Sequence, residues 1–306
     1  MVVRNEENVI LDSVGHLLRN VNVERLYVID NGSTDATPEL LRQAARVDSR
    51  LTWRSEPGAY RQDALMTDLA RQAHQDGAHW ILPSDADEFF DPGPHRADAV
   101  LSRAGVGAFV VELRNFVQCR LAQNLLGRRR GMREIETMIF SAGTQGSSED
   151  ARAMVESRAQ PYVQATYPPK HIFRAAASLY LHRGCHSALG IAGSVVPLPG
   201  SALLHAPVRS FEHLLQRLCH AERLGDVVSD PNAGWHIRRL VSFSRDELMA
   251  EWLSNSTALG RMKLPGLRLD WRLRRIARGL AGFRAEVMRH QPVPCVVQPA
   301  RSRAAA

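Results

Sequence analysis

The chain has 306 residues, 44% of them hydrophobic and 23% charged, with a formal net charge of +7. That is ordinary for a globular protein and allows one large domain or two modest ones. Four cysteines, at 119, 185, 219 and 295, lack CxxC spacing, which excludes a disulfide framework and makes a reducing cytoplasm the simplest setting. Nothing at the N-terminus reads as a signal peptide. The longest uncharged stretch, near Leu189–Val208, is broken by Gly190, Gly193, Pro197, Pro199 and Gly200, so a transmembrane helix is not expected.

In chain order, Val2-Val3 ends a strand; two residues are few for a central parallel strand, so the natural strand is expected to begin upstream. Arg4 to Leu18 reads as a helix, with Asn5 as N-cap and Ile10, Val14, Leu17 and Leu18 at helical spacing. Leu26–Ile29 is a strand ending in the turn formers Asp30-Asn31-Gly32-Ser33-Thr34-Asp35. Thr37-Pro38-Glu39 caps and opens a second helix. Leu51–Trp53 is a third strand, and Gln62–His74 a third helix closed by Gly77. Trp80-Ile81-Leu82 follows as a strand. Such alternation predicts an α/β fold with a parallel-rich sheet, whose ligands bind beyond the carboxyl ends of the strands. Asp30 and Asp35 would then share an edge with Asp85, Asp87 and Glu88.

Gly107–Leu113, Lys170–Phe173, Ser178–Leu181 and Ser201–His205 read as strands, and Ser141–Asp150 as a loop. Helices are expected from Phe211 to Gly225, over Asp246–Trp252 and over Trp271–Met288.

The chemistry concentrates in Ile81-Leu82-Pro83-Ser84-Asp85-Ala86-Asp87-Glu88-Phe89-Phe90. Three carboxylates within four residues leave an apolar strand, and Phe89-Phe90 would anchor the loop beyond them. Buried carboxylates must pair with cations or hold a metal. Asp85 and Asp87 fit a Mg²⁺ or Mn²⁺ ion that keeps several waters and shares a diphosphate.

Val3-Arg4-Asn5-Glu6-Glu7, Val28–Asp35 and Trp80–Phe89, in that order and spacing, resemble the family 2 glycosyltransferases of GT-A fold, in the branch with a DADEF-type metal motif. His205-Ala206-Pro207-Val208-Arg209-Ser210-Phe211-Glu212 resembles that branch's H-x-P-x-R-S-x-E segment. The resemblance covers roughly residues 1 to 220. It implies a GT-A-like (Rossmann-like) mixed, mostly parallel sheet flanked by helices. It implies a nucleotide pocket at Asp30 with Arg4, Asn5 and Glu6, and Asp35 and Arg61 near the nucleoside. Asp85 and Asp87 would meet ribose, metal and diphosphate, and His205 would be a third metal ligand or a diphosphate contact. The implied activity is metal-dependent, inverting transfer of a sugar from a UDP- or GDP-sugar to a hydroxyl of a glycan or lipid-linked acceptor. Glu212 is a candidate general base, with Glu149-Asp150 as another and a helix-capping role for Glu212 as the plain alternative.

Two rival functions remain. One is a metal-dependent nucleotidyl or phosphoryl transferase, disfavoured because Lys170 and Lys263 are the only lysines. The other is a catalytically degenerate sugar-nucleotide-binding scaffold. His182-Arg183-Gly184-Cys185-His186 with Cys219-His220 matches no standard zinc spacing. Arg128–Arg133 reads first as a solvated loop and second as an anion contact. The domain division expected is 1–225 for the transferase fold and 226–306 for a helical, basic C-terminal extension. From Arg261 to Ala306 eleven Lys or Arg face only Asp270 and Glu286. Such a tail reads either as a solvated helix face with a frayed end or as a peripheral contact with anionic membrane at the cytoplasmic face, and no specific nucleic acid partner is expected.

Overall fold

The computed structural model describes residues 1–94, 100–126, 133–218, 234–258 and 266–290. It is an α/β fold with one wholly parallel sheet and one mixed sheet, with helices around them. None of the described helices is long and apolar enough to cross a membrane.

The first sheet joins β1 (Val2–Val3), β2 (Leu26–Asp30) and β3 (Leu51–Ser55), all parallel, with Val3 beside Asp30 and Asp30 beside Ser55. Its connections are α1 (Ile10–Gly15), which runs on into a π-turn at His16–Val21, and α2 (Thr37–Val47). The first helix begins later than the periodicity predicts. Asn5 sits at φ 52°, and its side-chain oxygen accepts from the Thr34 amide at 2.7 Å instead of capping a helix. Thr37 likewise accepts from the Glu6 amide at 2.8 Å, and Ala36 takes the cap position of α2. The polar residues at these two helix starts therefore tie the β1 and β2 loops together.

After α3 (Gln62–Gln75), β4 (Trp80–Ile81) enters the second sheet through β8 (Lys170–Arg174), antiparallel, with Ile81 opposite Phe173. Three further strands build the centre: β5 (Glu88–Asp91), β6 (Val106–Cys119) and β11 (Ser194–His205). β11 runs parallel to β6 and antiparallel to β5. Phe89-Phe90, expected as a loop anchor, are strand residues of β5, fully buried or nearly so. β11 is longer than expected because it runs through Pro197 and Pro199, at the cost of a register shift between Pro197 and Ala202. Prolines cannot donate to the ladder, so the strand bulges there. β7 (Phe140–Ser141), β12 (Ser256–Thr257) and β13 (Arg268–Leu269) extend the sheet, and β9 (Tyr180–Leu181) pairs with β10 (Ala188–Leu189).

Smaller helices are α4 (Arg120–Leu126), α5 (Ala151–Glu156), α6 (residues 211–218), α7 (Trp235–Arg238) and α8 (Arg245–Ser254). In α8 the Ser244 hydroxyl and Glu247 form a capping box. Residues 271–288, expected as one helix, form α9 (Arg272–Gly279) and α10 (Ala281–Arg289), which meet at Leu280. Both return to the N-terminal layer. Leu273, Ala277, Phe283 and Val287 share one apolar cluster with Ile10, Val14, Leu18 and Leu41. Arg284 from α10 and Arg133 both pair with the fully buried Asp12 of α1. Arg133 is thus part of the core. Arg128, the Gly225 helix end, Cys219, His220 and the tail beyond residue 290 lie outside the described residues.

Candidate functional site

A cavity of about 750 Å³ opens where β1, β4 and β11 end and β8 begins. It is lined by Arg4, Asn5 and Glu6 after β1, and by Asp85, Asp87 and Glu88 after β4. The acids were expected to share one edge with Asp30 and Asp35. Instead β2 and β4 belong to separate hydrogen-bonded sheets, and the loop after β1 faces the acidic turn.

Strand register assembles the centre. His205 ends β11, level with Asn115 of β6 on one side and Glu88 of β5 on the other. The Ala206 amide then donates to the Asp87 carbonyl at 2.8 Å, extending the ladder into the turn. His205 Nδ1 lies 2.8 Å from Asn115 Oδ1, while the Asn115 amide group donates to the Val163 carbonyl at 3.1 Å. The amide orientation makes Oδ1 an acceptor, so Nδ1 carries the proton and donates. Nε2 is then the free face of the ring, and it points at Asp87 Oδ2 across 3.5 Å. A bare imidazole lone pair does not sit against a carboxylate without a proton or a cation between them.

Asp87 is held ionised. Burial pushes its carboxyl up, but His205, then Arg209 and Arg217, pull it well below the usual carboxylate range. Arg209 is wholly buried and reaches Glu6 at 2.7 Å, with Asp87 at 3.9 Å and Glu134 at 3.8 Å. Burial raises the Glu6 carboxyl to about 7, against the opposing pull of Arg209.

Asp85 and Glu88 have a different partner. β8 runs antiparallel to β4 and starts where β4 ends, which delivers Lys170 to the turn. Its ammonium lies 3.0 Å from Asp85 Oδ2 and 2.9 Å from Glu88 Oε1. Burial lowers the Lys170 pKa, but the two carboxylates outweigh it and hold the ammonium well above its ordinary value. Gln62, at the start of α3, donates to Asp85 Oδ1 at 3.2 Å and accepts from the Gly184 amide at 3.1 Å, which fixes its orientation. Glu88 points inward onto Lys170, because it opens a strand and its carboxylate also accepts from the Asp85 amide at 3.1 Å.

The remaining sequence candidates lie elsewhere. Asp30 is buried and accepts from the Ser33 amide at 3.2 Å; Asp35 accepts from the Glu7 and Thr37 amides at 3.1 and 2.9 Å. Both hold the turn after β2 and neither lines the cavity. Arg61 and Glu212 are exposed and do not line it either. Glu149-Asp150 are exposed, and the Asp150 carboxylate accepts from Ser147 at 2.7 Å. Among the described residues, no group of three or more His, Cys, Asp or Glu is gathered as a ready metal cage. Cys185 is buried and His186 is bound to the Pro169 carbonyl at 3.1 Å.

Sequence reasoning missed the cations. Lys170 had a signal, since it is one of two lysines and heads an apolar strand. Arg209 stood within the quoted His205–Glu212 segment. Asn115 and Gln62 had none. Also lining the cavity, Tyr162 stacks on His236 at 5.3 Å, and Trp235 meets His236 edge-on at 5.7 Å.

None of the curated proteins compared with the chain matches it. Among solved structures it is similar to Staphylococcus aureus TarS, at 14% identity and TM-score 0.37, over 80% of this chain and 43% of that one. It is also similar to the mannosyltransferase PcManGT from Pyrobaculum calidifontis, solved with GDP-Man and Mn²⁺, at 16% identity and TM-score 0.36, over 94% of this chain and 79% of that one. The chain thus spans under half the length of TarS. The sequence model of Glycosyl transferase family 2 matches residues 1–116, the segment that contains β1 to β5 and the acidic turn. That match covers the N-terminal 116 of 306 residues, so the similarity to glycosyl transferase family 2 is shown for this segment.

Proposed function

We propose that this protein transfers a sugar from a nucleoside-diphosphate donor to an acceptor hydroxyl, with a divalent cation held by Asp87 and His205. The observation that carries the reading is the His205 ring. Its Nδ1 is fixed on Asn115 while Nε2 faces the ionised Asp87 carboxylate at 3.5 Å. This donor set, one carboxylate and one imidazole with the rest left to water and phosphate, fits a borderline cation and favours Mn²⁺ over Mg²⁺. When bound, the cation would offset the charge that develops on the departing diphosphate.

The chain's own residues do the remaining work. Lys170 pairs with Asp85 and Glu88 and offsets part of their charge, which lowers the repulsion an anionic donor meets beside three carboxylates. Asp85, immobilised by Lys170 and Gln62, then presents a fixed acceptor for ribose hydroxyls. Arg4 lines the cavity with a buried Nε that has no partner among the described residues, a donor left for a ligand acceptor. Arg217 lines the same cavity beside the Asp87 side. The aromatic wall of Tyr162 and Trp235 offers an apolar face to an acceptor sugar or lipid-linked glycan. Inversion at the anomeric carbon, implied by the family resemblance, is part of the proposal.

The test is a titration of UDP and GDP with and without Mn²⁺, on wild type, Asp87→Ala and His205→Ala. Metal-dependent binding, lost in both variants, supports the reading. Metal-independent binding, or none, overturns the metal assignment. Release of nucleoside diphosphate from a donor, with the anomeric configuration read by NMR, separates a transferase from a scaffold that only binds.

A further inference from the structure

Helix α9 has two unlike sides. Leu273 and Ala277 are buried, and so is Leu280, which follows the helix. At about 100° per residue, Trp271, Arg274, Arg275 and Arg278 fall within an arc of roughly 100° on the other side. Trp271 is 41% exposed, the Arg278 side chain is 63% exposed and Arg275 is exposed. The Arg274 guanidinium lies 5.4 Å from the Trp271 ring centroid. Leu269 of β13, 58% exposed, and Met288 of α10, 45% exposed, add apolar surface in the same C-terminal segment.

The acids of this segment are already paired. Asp270 is bound by Arg272 at 2.6 Å, and Glu286 faces Arg19 at 3.9 Å. Glu136, the acid nearest to Arg278 at 3.9 Å, is buried and also faces Arg284 at 3.6 Å. The outward stripe therefore presents net positive charge around an exposed indole. None of its residues lines the cavity.

We propose that this face of α9 docks the protein on an anionic lipid surface. The charge is complementary to acidic headgroups, which attract each arginine near the surface. Tryptophan prefers the headgroup level, where its ring is half apolar and its N–H is wet. A nucleic acid would also satisfy the arginines, but the exposed indole beside them favours a surface with an apolar layer beneath its charged groups. The proposal stands independently of the transfer reading, because it involves no cavity residue. It also differs from a contact made by the tail alone, because the stripe belongs to a helix packed on the core.

The experiment is flotation of the full chain with vesicles of phosphatidylcholine alone or mixed with phosphatidylglycerol. The variants are Trp271→Ala and the triple Arg274→Gln, Arg275→Gln, Arg278→Gln; circular dichroism melts confirm that each folds. The tail beyond residue 290 is kept in all of them, so its own contribution is constant. Wild type is expected to bind only the anionic vesicles, more weakly as salt rises. The triple variant should bind roughly 100-fold more weakly at low salt, and Trp271→Ala measurably more weakly. Equal binding to neutral vesicles, or full binding by the triple variant, overturns the proposal. So does tight binding of a single-stranded RNA oligomer that displaces the vesicles and is lost in the triple variant.

Discussion

Lys170 Nζ stands 2.9 Å from Glu88 Oε1, and the same ammonium reaches Asp85 Oδ2 at 3.0 Å. One buried cation thus pairs with two of the three acids in the turn after β4. Only Asp87 is left to face His205.

That pairing makes Lys170 a stability determinant. Lys170→Met should cost about 3–5 kcal/mol, because Glu88 would be left buried without its cation and repelled by the half-buried Asp85. Adding Glu88→Gln should recover a large part of the loss, since the remaining acid could then be solvated through the cavity. Urea unfolding of the two single variants and the double gives the coupling directly. Strict additivity would show that Lys170 and Glu88 do not interact.

Asn115 does not line the cavity, yet it sets the His205 tautomer. Asn115→Leu should therefore weaken Mn²⁺ binding about 10- to 100-fold while leaving the fold intact. Manganese binding followed by electron paramagnetic resonance, with and without UDP or GDP, is the readout. Unchanged affinity would mean that His205 is not a ligand.

His16 supplies an acid-sensitive element far from the cavity. It is buried, with Nε2 donating to the Phe90 carbonyl at 2.8 Å and Nδ1 accepting from Asn20 at 3.1 Å. Burial lowers its pKa to about 4, so the neutral ring is the folded form. The sign is that of a depressed group: the stabilisation is complete above the unfolded value, near 6.5, and is lost as pH falls towards 4. The loss is at most about 3 kcal/mol. Unfolding free energies at pH 7 and 4.5 should fall less steeply in His16→Gln, whose amide can still donate to Phe90. Parallel slopes would contradict this assignment.

The division proposed at residue 225 meets a physical obstacle in α9 and α10. Their Leu273, Ala277, Phe283 and Val287 complete the cluster around Ile10 and Leu41. A chain ending at Ala258 exposes that cluster and removes Arg284 from Asp12. Such a truncation should be insoluble or markedly less stable, with a melting temperature well below that of the full chain. A truncated chain as stable as the full one would establish 226–306 as a separate unit.

Local patterns made much of the first half legible. β2, β3, α2, α3 and β4 follow from short apolar runs, Gly and Pro punctuation and helical spacing, and the structure places them within a few residues of expectation. The acidic turn was legible because three carboxylates after an apolar strand are unusual in any register. The misreadings have one cause. Asn5, Thr37 and Asp30 look like caps and turn formers, and each binds a partner on another segment or holds its own turn. A side chain with two suitable partners reveals its choice only when both are in place.

By itself, the sequence determined the α/β class, the family 2 likeness of the N-terminal segment and the place of the acidic turn, because these depend on neighbours a few residues apart. The tertiary structure decided which acids line the cavity. Lys170, Asn115, His205 and Arg209 reach the site from 28 to 122 positions beyond Asp87, brought there by strand register and core packing, neither of which any local spacing encodes.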